Sequence, residues 1–252
     1  MDPAETNSIC DLEGTEITTE AKIDPPLPSV TWVITEKLKE TSFFRYQEDA
    51  NEDLGYPYAT AKFLCYPKDD PAKTPAFLRI YQQIPITGTE NSRSRIRIQQ
   101  AITQSTNELD ILKELMQMDC TVVPKLLGYQ EAQQESDDII PSGFITYVIW
   151  EKVPGVPLSK LYIWRQTPEV RDAMRKEFRR VYQELVSCGI QPIPPHESKL
   201  IYDKSTGKMH ISGFRMGLSI DSNENWSDFN YVLYGLVRPC NKDWYKDSDW
   251  EW

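Results

Sequence analysis

Histidine is nearly missing from this chain: only His196 and His210 occur in 252 residues. The five cysteines, Cys10, Cys65, Cys120, Cys188 and Cys240, are odd in number, widely spaced and nowhere arranged as C-x-x-C. These scarcities argue against a structural zinc site and predict reduced thiols. No run approaches the ~18 to 20 apolar residues of a membrane span. The start of the chain has neither the basic opening nor the apolar stretch of a secretory signal. A location in the cytoplasm or nucleus, away from membranes, is the expectation, and the single glycosylation triplet at Asn225 is then a chance match. Positive charge is also short. The net charge of −10 opposes the counterion release that drives proteins onto nucleic acid or anionic lipid, so neither is expected as a partner.

The chain is long enough for one large domain or two small lobes. Residues 1–29 mix acids and threonines with Pro25, Pro26 and Pro28 and show no apolar periodicity, which predicts a disordered or extended lead-in and a fold beginning near Val30. β-rich runs follow at 30–34, 43–46, 61–66, 75–81 and 143–150, the middle pair joined by a polar, proline-bearing turn. Between them, Leu109, Leu112, Leu115 and Met116 share one face of a helix that ends by Asp119. A short apolar run at 122–129 and an acidic loop at 131–138 come next. Residues 151–158 carry two prolines and a glycine, cannot continue a strand or helix, and read as a connector.

The clearest helix covers 169–188, with Val170, Met174, Phe178, Val181 and Leu185 at helical spacing and Gly189 as its stop. Phe178, Val181 and Leu185 should be buried, and Arg175 and Arg179 exposed. A proline-rich loop then leads to two β-rich runs flanking a turn at 203–207. After Phe214 only a short tail is expected, ending in Trp244, Tyr245, Trp250 and Trp252 among acids. Those aromatics either pack back on the body or form a docking segment, and packing is the favoured reading.

Two phrases, VPKLLGY at 123–129 and YVIWEKVPGVPL at 147–158, together with the order of strands, helix, connector, long helix, loop and hairpin, resemble the protein-kinase-like superfamily. The closest likeness is to the small kinase-like proteins, related to aminoglycoside and choline phosphotransferases, that are common in fungi. The resemblance covers roughly residues 30–217. It implies an α+β, two-lobed protein-kinase-like fold: a lead-in over 1–29, an antiparallel-sheet N-lobe over 30–150, and a hinge with an abbreviated, mainly helical C-lobe over 151–252.

Phosphoryl transfer depends on positioning and charge neutralisation: a cation on the phosphates, a carboxylate at the nucleophile and oxygen ligands for magnesium. The resemblance puts Arg79 in FLRIY at the strand lysine, and Glu108 at the helix glutamate that pairs with it. Glu151 falls in the hinge, where family members offer backbone groups to adenine. The H-x-D-x-x-x-x-N catalytic loop falls on 192–199, so that Pro192 replaces the histidine, Pro194 the catalytic aspartate and Lys199 the metal-binding asparagine. Gly213 replaces the second metal-binding aspartate, and no glycine-rich phosphate loop is visible between Val30 and Lys62.

These departures imply a pseudokinase with no catalytic and no metal-binding residues, no expected cofactor and an unidentified protein partner. If nucleotide binding persists, Arg79, Glu108 and Glu151 are the cofactor-binding candidates. The alternative is a divergent ATP- and magnesium-dependent phosphotransferase or nucleotide-binding transferase that uses displaced residues such as Arg79, Glu197 and Asp203. The blander expectations are a structural Arg79–Glu108 ion pair, a solvated Glu151, core roles for Tyr147 and Trp150, and an exposed loop for His196 and Glu197.

Overall fold

The computed structural model describes residues 9, 12–51, 55–220, 226–240 and 250–252. It is a mixed α+β structure that divides into two compact units. The first takes the chain up to Leu109 together with Leu126–Lys152; the second takes Asp110–Lys125 and the chain from Val153 onward. No helix among the described residues is long and apolar enough to cross a membrane.

The first unit is a six-stranded, wholly antiparallel sheet. Its strands are β1 (Glu16–Thr19), β2 (Val30–Phe43), β3 (Tyr58–Pro67), β4 (Ala76–Gln83), β5 (Leu126–Gln133) and β6 (Phe144–Glu151), in the spatial order β1-β2-β3-β4-β6-β5. Helix α1 (Gln47–Asn51) follows β2, and α2 (Ser94–Arg97) and α3 (Asn107–Gln117) lie between β4 and β5 in the chain. Period-two alternation gives the sheet its core. Ala59, Ala61, Phe63 and Cys65 of β3, Ala76, Leu78 and Ile80 of β4, and Ile149 of β6 all face one side, where they close over Trp32, Ile34 and Ile9. Tyr147 packs on the edge of this cluster, and Trp150 is buried, in keeping with core roles for both.

The lead-in differs from its expectation. Glu16–Thr19 pairs with Val30–Val33 as the sixth strand, and Ile9 is buried. The backbone of Ile9 is held from both ends, its N–H donating to Glu40 Oε1 at 3.2 Å and its carbonyl accepting from Lys37 Nζ at 2.7 Å. β1 also reaches the far edge of the sheet, which therefore curls. A Cβ at Gly128 in β5 would lie 2.8 Å from Thr19 Oγ1, and that hydroxyl accepts from Trp32 Nε1 at 3.1 Å. Only glycine leaves room for this approach. The separate strand expected at 43–46 does not form: β2 runs on to Phe43 as one element, with register shifts at Ile34/Glu36 and Lys37/Lys39 that bend it. β5 likewise extends to Gln133, into the region expected as an acidic loop.

The second unit contains α4 (Lys160–Trp164), α5 (Pro168–Ser187) and α6 (Phe229–Leu233), with short strands between. β7 (Val156–Pro157), β9 (Leu200–Asp203) and β10 (Lys208–Ile211) form a three-stranded sheet, so the connector carries a two-residue strand that was not expected. β8 (Ile190–Gln191) pairs with β11 (Leu218–Ser219), and β12 (Arg238–Pro239) with β13 (Trp250–Glu251). α5 ends where Gly189 takes φ +69, the left-handed conformation that glycine adopts without strain.

Phe178, Val181 and Leu185 of α5 are fully buried, and Arg179 is exposed. Arg175 is a correction: it is buried, not exposed. The reason is the segment after Phe214, which is no short tail. Tyr231, Tyr234, Leu236 and Val237 are all buried, and Arg175 Nη1 donates to the carbonyl of Leu236 at 3.2 Å. Its other nitrogen pairs with Asp172, and its guanidinium lies 5.6 Å from the Trp252 ring centre. Trp250 packs as the favoured reading had it, Trp252 is about half exposed, and Trp244 and Tyr245 lie outside the described residues.

Candidate functional site

The face of the first unit's sheet opposite that core carries a compact group of charged and aromatic side chains, all buried or half-buried. Phe77, Arg79 and Tyr81 alternate with the core residues of β4 and therefore share the opposite face. Lys62 of β3 stands directly across from Arg79, Val148 of β6 stands across from it on the other side, and Trp150 stands across from Phe77. Glu108, in the first turn of α3, completes the group.

Arg79 Nη1 donates to Glu108 Oε1, and Tyr81 Oη donates to Glu108 Oε2 at 2.7 Å, so both carboxylate oxygens are engaged. Glu108 is 5% exposed and Arg79 16%, which makes this a buried pair with little solvent screening. Burial works against the Arg79 charge, but Glu108 and Tyr81 more than offset it and its pKa is raised. Burial first, and Glu108 second, push the Tyr81 hydroxyl up, keeping it a donor. The Arg79 guanidinium also lies 5.1 Å from the centre of the Trp150 ring.

Lys62 is the residue that sequence reasoning missed. Its ammonium sits 3.5 Å from the centre of the Phe77 ring and 5.4 Å from that of Trp150, and no carboxylate among the described residues lies within 4 Å of it. Burial lowers its pKa from 10.5 to about 8, Arg79 and Lys152 add to the shift, and Glu108 opposes it. The two ring faces favour the charged form, but stripping water from an amine beside a guanidinium outweighs them. The available signal was a lysine inside the apolar run ATAKFLCY, alternating with Ala61 and Phe63.

An unpaired, partly buried ammonium should reduce stability at neutral pH. Lys62→Met is expected to stabilise the chain by ~1 kcal/mol at pH 7. The folded state holds this proton less tightly than the unfolded chain, so wild-type stability rises as pH climbs from about 8 to 10.5 and the gap to the variant closes over that window. Paired urea titrations at pH 7 and pH 10 test this, and a variant that is weaker than wild type at both would contradict it.

Glu151 does not join this group. It ends β6 opposite Ala76, half-buried, and alternation places it with Ile149 on the other face from Trp150.

The residues of the loop and hairpin all belong to the second unit. Pro192 is buried and Pro194 exposed, and neither carries a group that transfers a proton. His196 is exposed, its Nδ1 accepting from the Ser198 N–H at 3.2 Å. Glu197, expected on an exposed loop, is instead buried, 3.6 Å from His196 Nε2 and close enough to Gly235 that a Cβ there would be 3.3 Å from its Oε2. Asp203 is committed to its turn: Oδ1 accepts from Ser205 N at 2.9 Å and Ser205 Oγ at 2.6 Å, and Oδ2 from Thr206 Oγ1 at 2.7 Å. Those bonds hold its pKa below the usual carboxylate range.

Lys199 and Gly213 are neighbours. The Lys199 carbonyl accepts from Ser212 N at 2.8 Å, and a Cβ at Gly213 would lie 3.1 Å from Lys199 Cγ and 3.3 Å from its Cδ and Cε. Gly213 has φ +85, a backbone region that favours glycine. Burial lowers the Lys199 pKa to about 8, with the charge of Arg215 adding to the effect. The donor set of a magnesium site is oxygen, and an amine over a bare glycine does not fit it.

No protein-family model matches this chain, and no curated protein matches its sequence.

Proposed function

We propose that this protein is a catalytically inactive relative of the protein kinases, a two-lobed pseudokinase whose role is to hold a protein partner. Two features of the fold support the reading. The strand order β2-β3-β4-β6-β5, with α3 inserted between β4 and β5, agrees with a kinase-like N-lobe, as does the tie from β4 to α3 through Arg79 and Glu108. The observation that carries the loss of chemistry is the contact of Lys199 with Gly213. Two positions that would both ligate magnesium should be adjacent, and these are; but one supplies a cation and the other no side chain. The net charge of −10 favours a protein over nucleic acid as the partner.

A second reading, retained nucleotide binding by a divergent transferase, draws support from one feature, the Lys62 ammonium beside Arg79. It draws none from Asp203, whose carboxylate is used by its own turn.

Thermal unfolding with ATP or ADP, with and without magnesium, separates the two. A nucleotide that binds only the folded state adds ~2.7 kcal/mol at a hundredfold excess over its dissociation constant. The expected results are no magnesium-dependent stabilisation and no phosphotransfer, from wild type or from Gly213→Asp. The single replacement supplies one carboxylate next to Lys199, and Pro194 still offers no base. Magnesium-dependent turnover that disappears on replacing Glu197 by alanine would overturn the pseudokinase reading. Stabilisation by nucleotide without metal, lost in Lys62→Gln, would favour the second.

A further inference from the structure

In the second unit, Trp250–Trp252 is held as a bound peptide is held. β13 adds to the edge of β12 through two residue pairs, Arg238↔Glu251 and Pro239↔Trp250. Trp250 is buried, and its ring centre lies 6.0 Å from that of Trp252, which meets the Tyr231 ring of α6 edge-on at 5.7 Å. Arg171 Nη2 donates to the Trp252 carbonyl at 3.1 Å, Glu251 lies 3.9 Å from Arg238, and the Trp252 ring packs on Arg175. An extended backbone on a strand edge, with aromatic anchors two residues apart, is the pattern of peptide recognition by strand addition.

The receiving surface is fixed by contacts that do not involve the segment it receives. Arg175 is held by the Leu236 carbonyl and by Asp172, one turn before it. Arg171 Nη1 donates to the Gln166 carbonyl at 3.5 Å, and the guanidinium groups of Arg171 and Arg238 lie 4.7 and 4.0 Å from the centre of the Trp164 ring. Three arginines thus gather around Trp164 and Trp252 in a chain of net charge −10. Among the described residues, no carboxylate lies within 4 Å of Arg171. The Arg171 Nε–H and the Trp164 indole N–H are buried and donate to nothing among those residues, so the surface has donors that Trp250–Trp252 leaves unmet.

We propose that this surface of α4, α5 and β12 is a docking site for an extended, acidic, tryptophan-bearing segment of a protein partner, and that Trp250–Trp252 fills it until the partner displaces it. The inference rests on the reading that this protein holds a protein partner, and it names the site and the chemistry recognised there. The partner's segment pairs with Arg238–Pro239 as β13 does, sets a tryptophan on Arg175 and Tyr231, and brings carboxylates to Arg171 and Arg238. Arginines grouped in this way favour an acidic segment and disfavour a basic one. The chain's own segment competes as a tethered ligand, at an effective concentration of millimolar order, so it sets a threshold that only a well-matched partner passes.

The test titrates the full chain into a fluorescein-labelled peptide with the sequence of residues 247–252, Asp-Ser-Asp-Trp-Glu-Trp, and follows anisotropy. The peptide should bind the double variant Trp250→Ser, Trp252→Ser at least about tenfold more tightly than wild type, whose own segment competes. Adding Arg171→Gln to that variant should weaken binding about tenfold. Should the double variant fail to unfold cooperatively, Glu251→Lys carries the same expectation, because it changes an exposed residue and sets like charge against Arg238. A peptide that binds neither variant, binds wild type as tightly as the variants, or binds regardless of Arg171 would overturn the docking site. A wild-type dimer in light scattering that dissociates in the double variant would overturn it too, giving the surface to a second copy of the chain. None of these results bears on phosphotransfer, which the nucleotide and turnover measurements test separately, so the site and the pseudokinase reading fail by different experiments.

Discussion

Phe178→Ala is expected to destabilise the second unit by ~3 to 5 kcal/mol, enough to consume a large part of a domain's ordinary stability. The ring is fully buried, and four other aromatic rings surround it: Tyr234 at 4.9 Å, Tyr182 at 5.5 Å, Tyr231 at 5.9 Å and Trp226 at 6.0 Å between centroids. Large, stiff rings held by a helix and by each other cannot collapse into the gap, so the loss includes a cavity as well as the transfer of the ring itself. Phe178→Leu keeps most of the volume and should lose about 1 kcal/mol. Urea unfolding of the three proteins, followed by aromatic fluorescence, measures both changes. A loss below ~1 kcal/mol for the alanine variant would mean that the cluster relaxes or that the ring is not enclosed.

The Phe178 cluster also marks a limit of what the sequence allowed to be read. Helical spacing placed Phe178, Val181 and Leu185 inside, as they are, because a single apolar stripe has one physical explanation. It placed Arg175 outside, and there it failed. Periodicity reports a residue's own helix, whereas the burial of Arg175 depends on Leu236 and Trp252, which are distant in sequence and carry no periodic signal. Lead-in residues were misjudged for a related reason: four residues, Glu16–Thr19, make a strand only because Val30–Val33 lies ready to pair with them.

On the site, Arg79 and Glu108 could be named because the resemblance to the kinase-like superfamily puts them at the strand lysine and the helix glutamate, not because their own pattern marks them. Lys62 was overlooked although the same alternation exposes it. Its partner is a position on the neighbouring strand, and the register Lys62↔Arg79 is a property of the fold. The neighbourhood of Lys199 and Gly213 was likewise legible only as two letters some distance apart. Their contact comes from the hairpin of β9 and β10, where Ile211 pairs with Leu200.

Glu108→Ala should destabilise the first unit by ~3 to 5 kcal/mol, because it leaves a buried guanidinium with no counter-charge. Arg79 is 16% exposed on its side chain, and the carboxylate it would lose is 5% exposed, so water cannot readily replace the interaction. Tyr81 loses its acceptor in the same variant, which adds ~1 to 3 kcal/mol if the hydroxyl finds no other. The companion measurement distinguishes a pair that stabilises from one that is merely costly to break. Removing both charges with Arg79→Met and Glu108→Leu leaves apolar groups on a face already lined by Phe77, Val148 and Trp150. That double variant should regain most of the loss, and adding Tyr81→Phe should bring it within ~1 kcal/mol of wild type, since exchanging a buried ion pair for well-packed apolar groups is often neutral. A loss below ~1 kcal/mol in Glu108→Ala would show that Arg79 is satisfied without Glu108. A triple variant as unstable as Glu108→Ala would show that the charges themselves, and not only their mutual compensation, stabilise the first unit.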